Sequence, residues 1–314
     1  MERSSDRAVF DRLQVSAEVA DALRSGRPVV ALESTLISHG LPYPQNVAVA
    51  RASEAAVRTA GATPATIAIR DGRILIGLDD AALEVLATAP AGSVFKAARP
   101  SLAAALAGGG WAATTVSASM IAASAAGIRV FATGGIGGVH RGAFGPAATL
   151  DVSSDLEELA RTPLAVVCAG PKAILDLPLT LEYLETRGVP VVAVGQDDVP
   201  GFYSTSSGIP APHVVADVAG AARLVATHLG LGLGSGILLC TPVPAAVALP
   251  PAAGRVAIER ALADAATAGI RGPATTPWLL ARIAELTDGA SIRANTALIE
   301  NDARVAGLLA VALG

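Results

Sequence analysis

The stretch PVVALESTLISHG (residues 28–40) joins a short apolar run, residues 28–32, to an acidic and two hydroxyl side chains. An apolar run of this length, bounded by proline and polar residues, is typical of a strand buried on both faces. Residues 45–60 then have the pattern of a helix that Pro44 opens near its first turn. Together the two segments predict the first strand–helix unit of an α/β fold.

The same alternation of strand-like and helical segments continues along the chain. Residues 65–69 and 73–78 flank Asp71-Gly72, a strong signal for a two-residue hairpin. The pattern predicts further strands at residues 93–97, 130–133, 164–169 and 190–194, helices at 79–87, 117–126 and 172–187, additional elements at 218–228 and 237–240, and a helical tail from residue 255. This order predicts a three-layer α/β/α fold with a mainly parallel sheet that the hairpin makes mixed. We expect a single α/β domain, residues 1–314, in which residues 251–314 are a helical C-terminal part.

Composition argues against several classes of protein. Hydrophobic residues make up 52% of the 314 residues and charged residues 16%, which excludes a disordered chain. The formal net charge of −4 leaves no excess of cations for a nucleic acid, and no uncharged apolar segment reaches ~18 residues. The amino terminus lacks the pattern of a signal peptide, and Cys168 and Cys240 both lie in apolar runs typical of reduced core thiols. We therefore expect a cytoplasmic protein that binds neither nucleic acid nor membrane.

The basic residues are almost all arginines. Of the 23 Lys and Arg residues only Lys96 and Lys172 are lysines, so 23 − 2 = 21 are arginines. A lysine amine can lose its proton and attack a carbonyl carbon to form an imine, which a guanidinium cannot do. The two lysines either serve such chemistry or are the chance result of coding bias, and both interpretations stay open at this point.

Polar residues that follow buried strands are candidates for the site, because ligands of α/β folds bind at the carboxyl edge of the sheet. Glu33 directly follows the apolar run 29–32, where burial would raise its pKa and suit it to proton transfer. Alternatively, it is a helix-capping or surface residue. Lys96 follows Val94-Phe95 in the same way, or is a solvated cation at a strand end.

The loop TGGIGGVHRG (residues 133–142) follows a predicted strand that ends at Thr133. Paired glycines let backbone N–H groups surround an anion, and His140 and Arg141 add charge, so the loop is a candidate phosphate site. A plain mobile loop is the alternative. The glycine spacing is not GxGxxG and no clear helix follows directly, which argues against a dinucleotide-binding fold.

The segment DVSSDL (residues 151–156) contains a candidate metal ligand. The carboxylate of Asp151 is the kind of ligand that a hard divalent cation such as Mg²⁺ or Mn²⁺ accepts together with waters and substrate oxygens. The alternative is purely structural, with Ser153 or Ser154 as the N-cap of a helix and Asp155 as a favourable charge in its first turn.

The segment CAGPK (residues 168–172) ends a buried strand, and the pattern places Lys172 at the start of the helix 172–187. There the helix dipole and apolar neighbours would lower the pKa of its amine. Farther on, Asn295 and Asn301 lie six residues apart on a predicted helix and do not share one face. At most one of the two asparagines is therefore expected to point into a site.

Taken together, these segments resemble the pseudouridine-5'-phosphate glycosidase family. The resemblance runs from about residue 29 to residue 208 and resumes near residue 276, and its blocks are ALEST (31–35), SHG (38–40), PQN (44–46), the 133–142 loop, residues 151–156, residues 168–175, TPWLL (276–280) and Asn295. Several blocks in the same order make the resemblance specific. It implies a homotrimeric α/β protein that uses a divalent metal, typically Mn²⁺ and alternatively Mg²⁺, to cleave reversibly the C–C bond between ribose 5-phosphate and uracil.

The resemblance also implies a role for each matching residue. Lys172 is the implied imine-forming nucleophile, Glu33 the proton donor and Asp151 the metal ligand. The implied substrate contacts are Lys96, Val116, Thr133, His140, Ser153, Ser154, Asp155 and Asn295. This chemistry is coherent, because the departing carbon of a C–C bond must accept a proton and an imine of the ring-opened sugar supplies an electron sink.

The chain departs from the family pattern in three places, which bear on substrate range rather than on reaction class. TPVPA (241–245) replaces the family's Asn-Pro-Ile-Pro-Glu, Ala98 and Pro100 replace polar residues, and the segment 142–151 is lengthened. Two other functions stay open. One is an aldolase-like lyase that forms a Schiff base with another sugar phosphate, and the other is a non-catalytic binder of phosphorylated nucleosides.

Overall fold

The computed structural model describes residues 9–144, 148–270 and 275–314. Its strands are β1 (Leu13–Val15), β2 (Val29–Leu32), β3 (Thr63–Arg70), β4 (Arg73–Ile76), β5 (Phe95–Ala97), β6 (Trp111–Thr114), β7 (Val130–Ala132), β8 (Val139–His140), β9 (Ala165–Cys168), β10 (Leu175–Asp176), β11 (Val191–Val194), β12 (His213–Val215) and β13 (Ile237–Cys240). Its helices are α1 (Ala17–Arg24), α2 (Thr35–His39), α3 (Gln45–Thr59), α4 (Asp80–Thr88), α5 (Leu102–Ala107), α6 (Val116–Ala125), α7 (Ser154–Leu159), α8 (Leu177–Thr186), α9 (Val218–Gly230), α10 (Pro251–Thr267), α11 (Thr275–Leu286) and α12 (Ala290–Leu313). The predictions about a signal peptide and a lengthened 142–151 segment fall partly on residues 1–8 and 145–147, which lie outside the described residues.

Eleven strands of the described chain form one sheet, with the order β1-β4-β3-β2-β7-β9-β13-β11-β12, and β6 pairs with both β3 and β5. Every pair from β3 to β12 along this order is parallel, whereas β3 is antiparallel to β4 and to β6. The turn between β3 and β4 uses Asp71 and Gly72 with positive φ angles of 48° and 75°, as a two-residue hairpin requires. The predicted mainly parallel, mixed sheet is therefore confirmed.

The side chains of β2 alternate between two apolar cores on opposite faces of the sheet. Ala31 belongs to a core that also contains Met120 of α6. Val30 belongs to a second core with Val57 of α3 and Ala303 of α12. Because strands with both faces buried need helices on each side, these two cores explain the continuous apolar runs of the sequence and confirm the three-layer arrangement.

The prediction of a helix over residues 172–187 is wrong at its start. Helix α8 begins at Leu177, where the Asp176 carboxylate accepts a hydrogen bond from the backbone N–H of Leu179 at 3.1 Å. Residues Leu175–Asp176 instead form β10, which pairs antiparallel with β8. The capping aspartate and Pro178 directly behind it were the sequence signals for the true start.

The predicted helical tail is three helices, α10 to α12, which begin at Pro251 rather than at residue 255. The last of them, α12, packs against α3 and against strands β2, β7 and β9. In the part of the chain that the structure describes, none of the helices combines the length and the apolar character needed to cross a bilayer.

Candidate active site

Three neighbouring parallel strands, β2, β7 and β9, end together at one edge of the sheet. Glu33 follows β2, Thr133 follows β7, and the loop that carries Lys172 follows β9. The Thr133 hydroxyl donates a hydrogen bond to Oε1 of Glu33, and both side chains are buried. The topology thus brings together residues that lie about a hundred positions apart in the sequence, as expected for the carboxyl edge of a parallel sheet.

Glu33 is only 9% exposed, and the burial of its carboxyl raises its pKa above the ordinary value for glutamate. The positive charge of Lys172 opposes that rise most strongly among the neighbouring charges, followed by the hydrogen bond from Thr133. Asp155 raises the pKa further, whereas Lys96 lowers it. A carboxyl with a raised pKa holds its proton closer to neutral pH, as a proton donor must.

Lys172 lies in the loop between β9 and β10, not at the start of a helix, so the helix-dipole argument for its amine does not apply. Its backbone N–H donates to the Ile136 carbonyl at 3.1 Å, and its carbonyl accepts from the Leu175 N–H at 3.0 Å. The side chain is half-buried and lines a cleft of about 350 Å³ together with Arg141 and Tyr203. The loop therefore holds the backbone of Lys172 while its side chain lines the cleft and its charge acts on the Glu33 carboxyl.

Lys96 lies in the middle of β5. Desolvation and repulsion from Lys172 lower the pKa of its ammonium group, while Glu33 and Asp155 raise it. Lys96 therefore belongs to the same charge cluster as Lys172, Glu33 and Asp155. Val116, another implied substrate contact, is the buried first residue of α6.

Asp155 ties three segments of the site together. One of its carboxylate oxygens accepts the Ser117 N–H at 3.0 Å, and the other accepts the Gly137 N–H at 2.9 Å. The hydroxyls of Ser117 and Ser154 lie 3.2 Å apart, and Ser153 is the N-cap of α7, with its hydroxyl accepting the Asp155 N–H at 3.2 Å. Ser153 is thus an N-cap, as the structural alternative predicted. Asp155 holds the segments together because both of its carboxylate oxygens accept hydrogen bonds from backbone N–H groups.

The glycines of the 133–142 loop are explained by close packing. A Cβ at Gly135 would lie 3.0 Å from the Gly170 carbonyl and against the Phe202 ring, and one at Gly137 would overlap the Ser153 hydroxyl. The N–H of Ile136 donates to the Gly170 carbonyl at 3.2 Å, and the N–H of Gly137 is already taken by Asp155. A phosphate bound here would therefore meet fewer free N–H groups than the glycine pattern indicates.

His140 in β8 and Asp151 in the segment before α7 face each other near the surface. The imidazole Nδ1 lies 3.9 Å from a carboxylate oxygen of Asp151, and the His140 N–H donates to the Asp151 carbonyl at 3.0 Å. The Asp151 side chain is 52% exposed. Within the described residues no cluster of three or more His, Cys, Asp or Glu side chains has the geometry to enclose a metal. One carboxylate beside one imidazole fits a divalent cation that keeps most of its waters.

The two asparagines of α12 have separate surroundings. Asn301 donates to the Pro242 carbonyl at 3.2 Å, so its amide supports the segment that follows β13. Asn295 is half-buried and lies one helical turn before Ile299, which borders Glu33 in a small cavity. Of the two, Asn295 therefore occupies the face of α12 that is directed towards the site.

Two further carboxylates, which the sequence patterns did not indicate, are buried. Glu158 of α7 is 2% exposed and forms an ion pair with Arg99, whose backbone N–H donates to the Ser117 hydroxyl at 3.1 Å. Asp302 is fully buried on α12 and accepts a hydrogen bond from the Thr241 hydroxyl. A charged residue on the apolar face of α12 was a visible signal, since carboxylates are seldom buried without a partner.

The second oxygen of Asp302, Oδ2, has no hydrogen-bond partner among the described residues. Burial is the largest cause of a pKa well above the ordinary value, and the nearby Cys168 thiol adds to the rise. The folded chain therefore holds this proton more tightly than the unfolded chain. The stability that results is fully present below the unfolded pKa of about 3.9 and is lost as the pH rises through the folded pKa.

The variant Asp302→Asn should accordingly be more stable than the parent chain at pH 7, by roughly 1–3 kcal/mol, because an amide never has to ionise or be buried as a charge. Urea denaturation at several pH values between 4 and 8 measures this, and the advantage of the variant should shrink towards pH 4. Thr241→Val, which removes the donor but keeps the carboxyl, should instead destabilise the chain. Equal pH slopes for the parent and Asp302→Asn would show that Asp302 is not buried as a neutral acid.

The chain is similar to known proteins over most of its length. Residues 18–312 match the family model described as "Indigoidine synthase A like protein". The chain is 54% identical to a pseudouridine-5'-phosphate glycosidase of Solibacter usitatus over 96% of its length and 99% of the relative, and 53% identical to one of Paracoccus denitrificans over 96% and 98%.

Two solved structures resemble the whole chain. The prealnumycin C-glycosynthase AlnA, crystallised in complex with ribulose 5-phosphate, has a TM-score of 0.87 and 40% identity, and the match covers 96% of each chain. An indigoidine synthase A-like protein of Thermotoga maritima has a TM-score of 0.83 and 30% identity over 95% of each chain. The fold is thus that of proteins that resemble this chain over nearly its whole length.

Proposed function

Because the chain belongs to the pseudouridine-5'-phosphate glycosidase family, within the indigoidine synthase A like proteins, we propose that it cleaves pseudouridine 5'-phosphate reversibly to uracil and ribose 5-phosphate. The observation that carries the proposal is identity above 50% with glycosidases along 96% of the chain. The charge cluster of Glu33, Lys96 and Lys172 supports it, since the reaction needs an amine and a proton donor.

We propose that the reaction proceeds through an imine. The amine of Lys172 bonds to C1′ as the C1′–O4′ bond breaks, which opens the sugar ring, and one proton of the amine goes to O4′. When the C1′–C5 bond breaks, its electron pair goes to C5 of uracil, which takes a proton from Glu33, while the nitrogen lone pair completes the C1′=N bond. Water then adds to C1′ and the C1′–N bond breaks, which frees the amine and ribose 5-phosphate and releases one proton to solvent through the cleft. The raised pKa of Glu33 supports its part as the donor.

The sugar ligand of the related C-glycosynthase favours an open-chain intermediate. Ribulose 5-phosphate, found in that crystal structure, carries its carbonyl at C2 and a phosphate on O5, so it has no free hydroxyl with which to close a five-membered ring. A site that accepts such a molecule accepts a pentose phosphate in extended form. The same form is the one that Lys172 would capture in this chain.

We propose that Asp151 holds a divalent cation, Mn²⁺ or Mg²⁺, with His140 beside it. When bound, the cation supplies positive charge that neutralises and orients substrate oxygens. Lys96, Ser153, Ser154 and Asn295 would contact the sugar phosphate or uracil, while Val116 and Thr133 shape the site and Asp155 fixes the backbone around it. The family resemblance supports two further proposals, assembly as a homotrimer and residence in the cytoplasm.

Incubation with pseudouridine 5'-phosphate tests the function. We expect uracil, followed by its ultraviolet absorbance, to appear in a 1:1 ratio with ribose 5-phosphate. EDTA should abolish its release and added Mn²⁺ should restore it. An aldolase-like lyase on another sugar phosphate would release no uracil, and a non-catalytic binder would show saturable binding without product. Either outcome would contradict the proposal.

A further inference from the structure

A small cavity lies behind Glu33, on the side of the sheet covered by α3 and α12. Its volume is about 10 Å³, roughly the space that one water molecule needs. Four polar residues line it together with apolar ones, and they are Glu33, Ser53, Thr66 and Thr133. A water needs two to four polar partners, so this cavity can hold one in contact with the catalytic carboxyl.

Thr66 connects the cavity to a second carboxyl. It lies in β3, directly opposite Leu32 of β2, and its hydroxyl donates to Oε1 of Glu54 on α3. Glu54 is half-buried and also lines a surface groove of about 600 Å³ that contains Glu18 and Arg58. Glu33, the cavity, Thr66 and Glu54 therefore form a continuous line of polar groups from the site to solvent on another face of the chain.

We propose that Thr66 and Glu54 return a proton to Glu33 between turnovers, through a water in the cavity. This inference rests on the proposed function, in which Glu33 loses one proton to uracil in each cycle. In the proposed function, substrate and product would occupy the cleft that Lys172 lines, so a route behind Glu33 would stay open while they are bound.

In the proposed relay each oxygen that gives up a proton receives another. The Thr66 hydroxyl, whose proton points at Glu54 in the structure, first rotates so that this proton faces the water and its oxygen faces a protonated Glu54. The Glu54 carboxyl then gives its proton to the Thr66 oxygen, Thr66 gives its own proton to the water, and the water gives one to the Glu33 carboxylate. Glu54 then takes a proton from the groove. Burial raises the pKa of Glu54, as do the charges of Asp80 and Glu18, while the bond from Thr66 and the charge of Arg58 lower it. Both carboxyls of the path thus favour protonation more than an exposed glutamate would.

The test compares the first turnover with later ones. In Thr66→Val and Glu54→Gln, Glu33 has time to reach its proton equilibrium before substrate is added, so one equivalent of uracil should form at the parent rate and later turnovers should be slower by roughly 10-fold or more. Thr66→Ser, which keeps the hydroxyl, should retain the parent steady-state rate. The matched control is Arg70→Gln, which changes the charge of the same groove at a residue that is not among the charges acting on the pKa of Glu54, and it should behave like the parent.

Several results would overturn the relay. Equal slowing of first and later turnovers in Glu54→Gln would assign the residue a structural role, and an unchanged steady-state rate in that variant would leave the path without a function. If Thr66→Val fails to fold, Thr66→Ser and Glu54→Gln still decide the matter. Uracil release by the parent chain separates this inference from the proposed function. If the parent chain releases no uracil, both are wrong. If the parent chain releases uracil and the variants turn over at the same rate, only the relay is wrong.

Discussion

Lys172→Ala should lower kcat for uracil release by roughly 10³-fold or more, because without an amine no imine can take up the electrons of the breaking bond. Lys172→Arg keeps the positive charge beside Glu33 but cannot form an imine, and it should lose as much. The measurement is steady-state uracil release from pseudouridine 5'-phosphate, with thermal unfolding to verify that both variants fold.

Lys96 provides the matched comparison, since it is the other lysine of the chain and shares the charge cluster. Lys96→Arg preserves a cation and should retain most of kcat, with its main effect on KM. Full turnover in Lys172→Arg, or a larger loss of kcat in Lys96→Arg, would exclude Lys172 as the nucleophile.

Glu33→Gln should lower kcat by roughly 10²-fold or more while the chain stays folded. Glutamine is nearly the same size and can still accept the hydrogen bond from Thr133, but it cannot supply a proton. Because burial raises the pKa of Glu33, the parent rate should fall as the pH rises through that pKa, and the variant should lose this limb of the profile. The profile of kcat against pH, measured for both proteins, provides the check.

Stability offers an independent readout for the same substitution. A carboxyl whose pKa is raised on folding costs stability once the pH exceeds its unfolded pKa, so Glu33→Gln should be at least as stable as the parent at pH 7. A variant that unfolds more readily and loses activity in proportion would indicate a structural rather than a chemical role. Unchanged turnover would remove Glu33 from the mechanism.

The parts of the fold that the sequence predicts well are those in which local pattern and tertiary burial agree. Strands β2, β9 and β13 are continuous apolar runs because helices cover both faces of the sheet, and such runs are visible in one dimension. Strand β6, Trp111–Thr114, is as long as these strands, but two of its four residues are alanines, and its pairing with β3 and β5 makes it a strand. The early start predicted for α8 overlooked the capping role of Asp176.

Some features of the site were also predictable from the sequence and others were not. Glu33 was predictable because an acid at the end of a buried strand must lie at the edge of the sheet where ligands bind. The hydrogen bond between Thr66 and Glu54 was not predictable. The two residues lie twelve positions apart, on a strand and a helix, and their contact depends on how α3 packs. The glycines at 135 and 137 have a packing cause that only the positions of Phe202 and Ser153 reveal.

The imine itself can be tested by trapping. Reduction with borohydride during turnover converts a lysine imine into a stable secondary amine, and the chain has only two lysines, so peptide mass mapping assigns the adduct without ambiguity. We predict one ribose 5-phosphate adduct on Lys172 in the parent chain and in Lys96→Arg, and none in Lys172→Arg. An actively cleaving parent chain that shows no adduct, or shows it on Lys96, would contradict the mechanism.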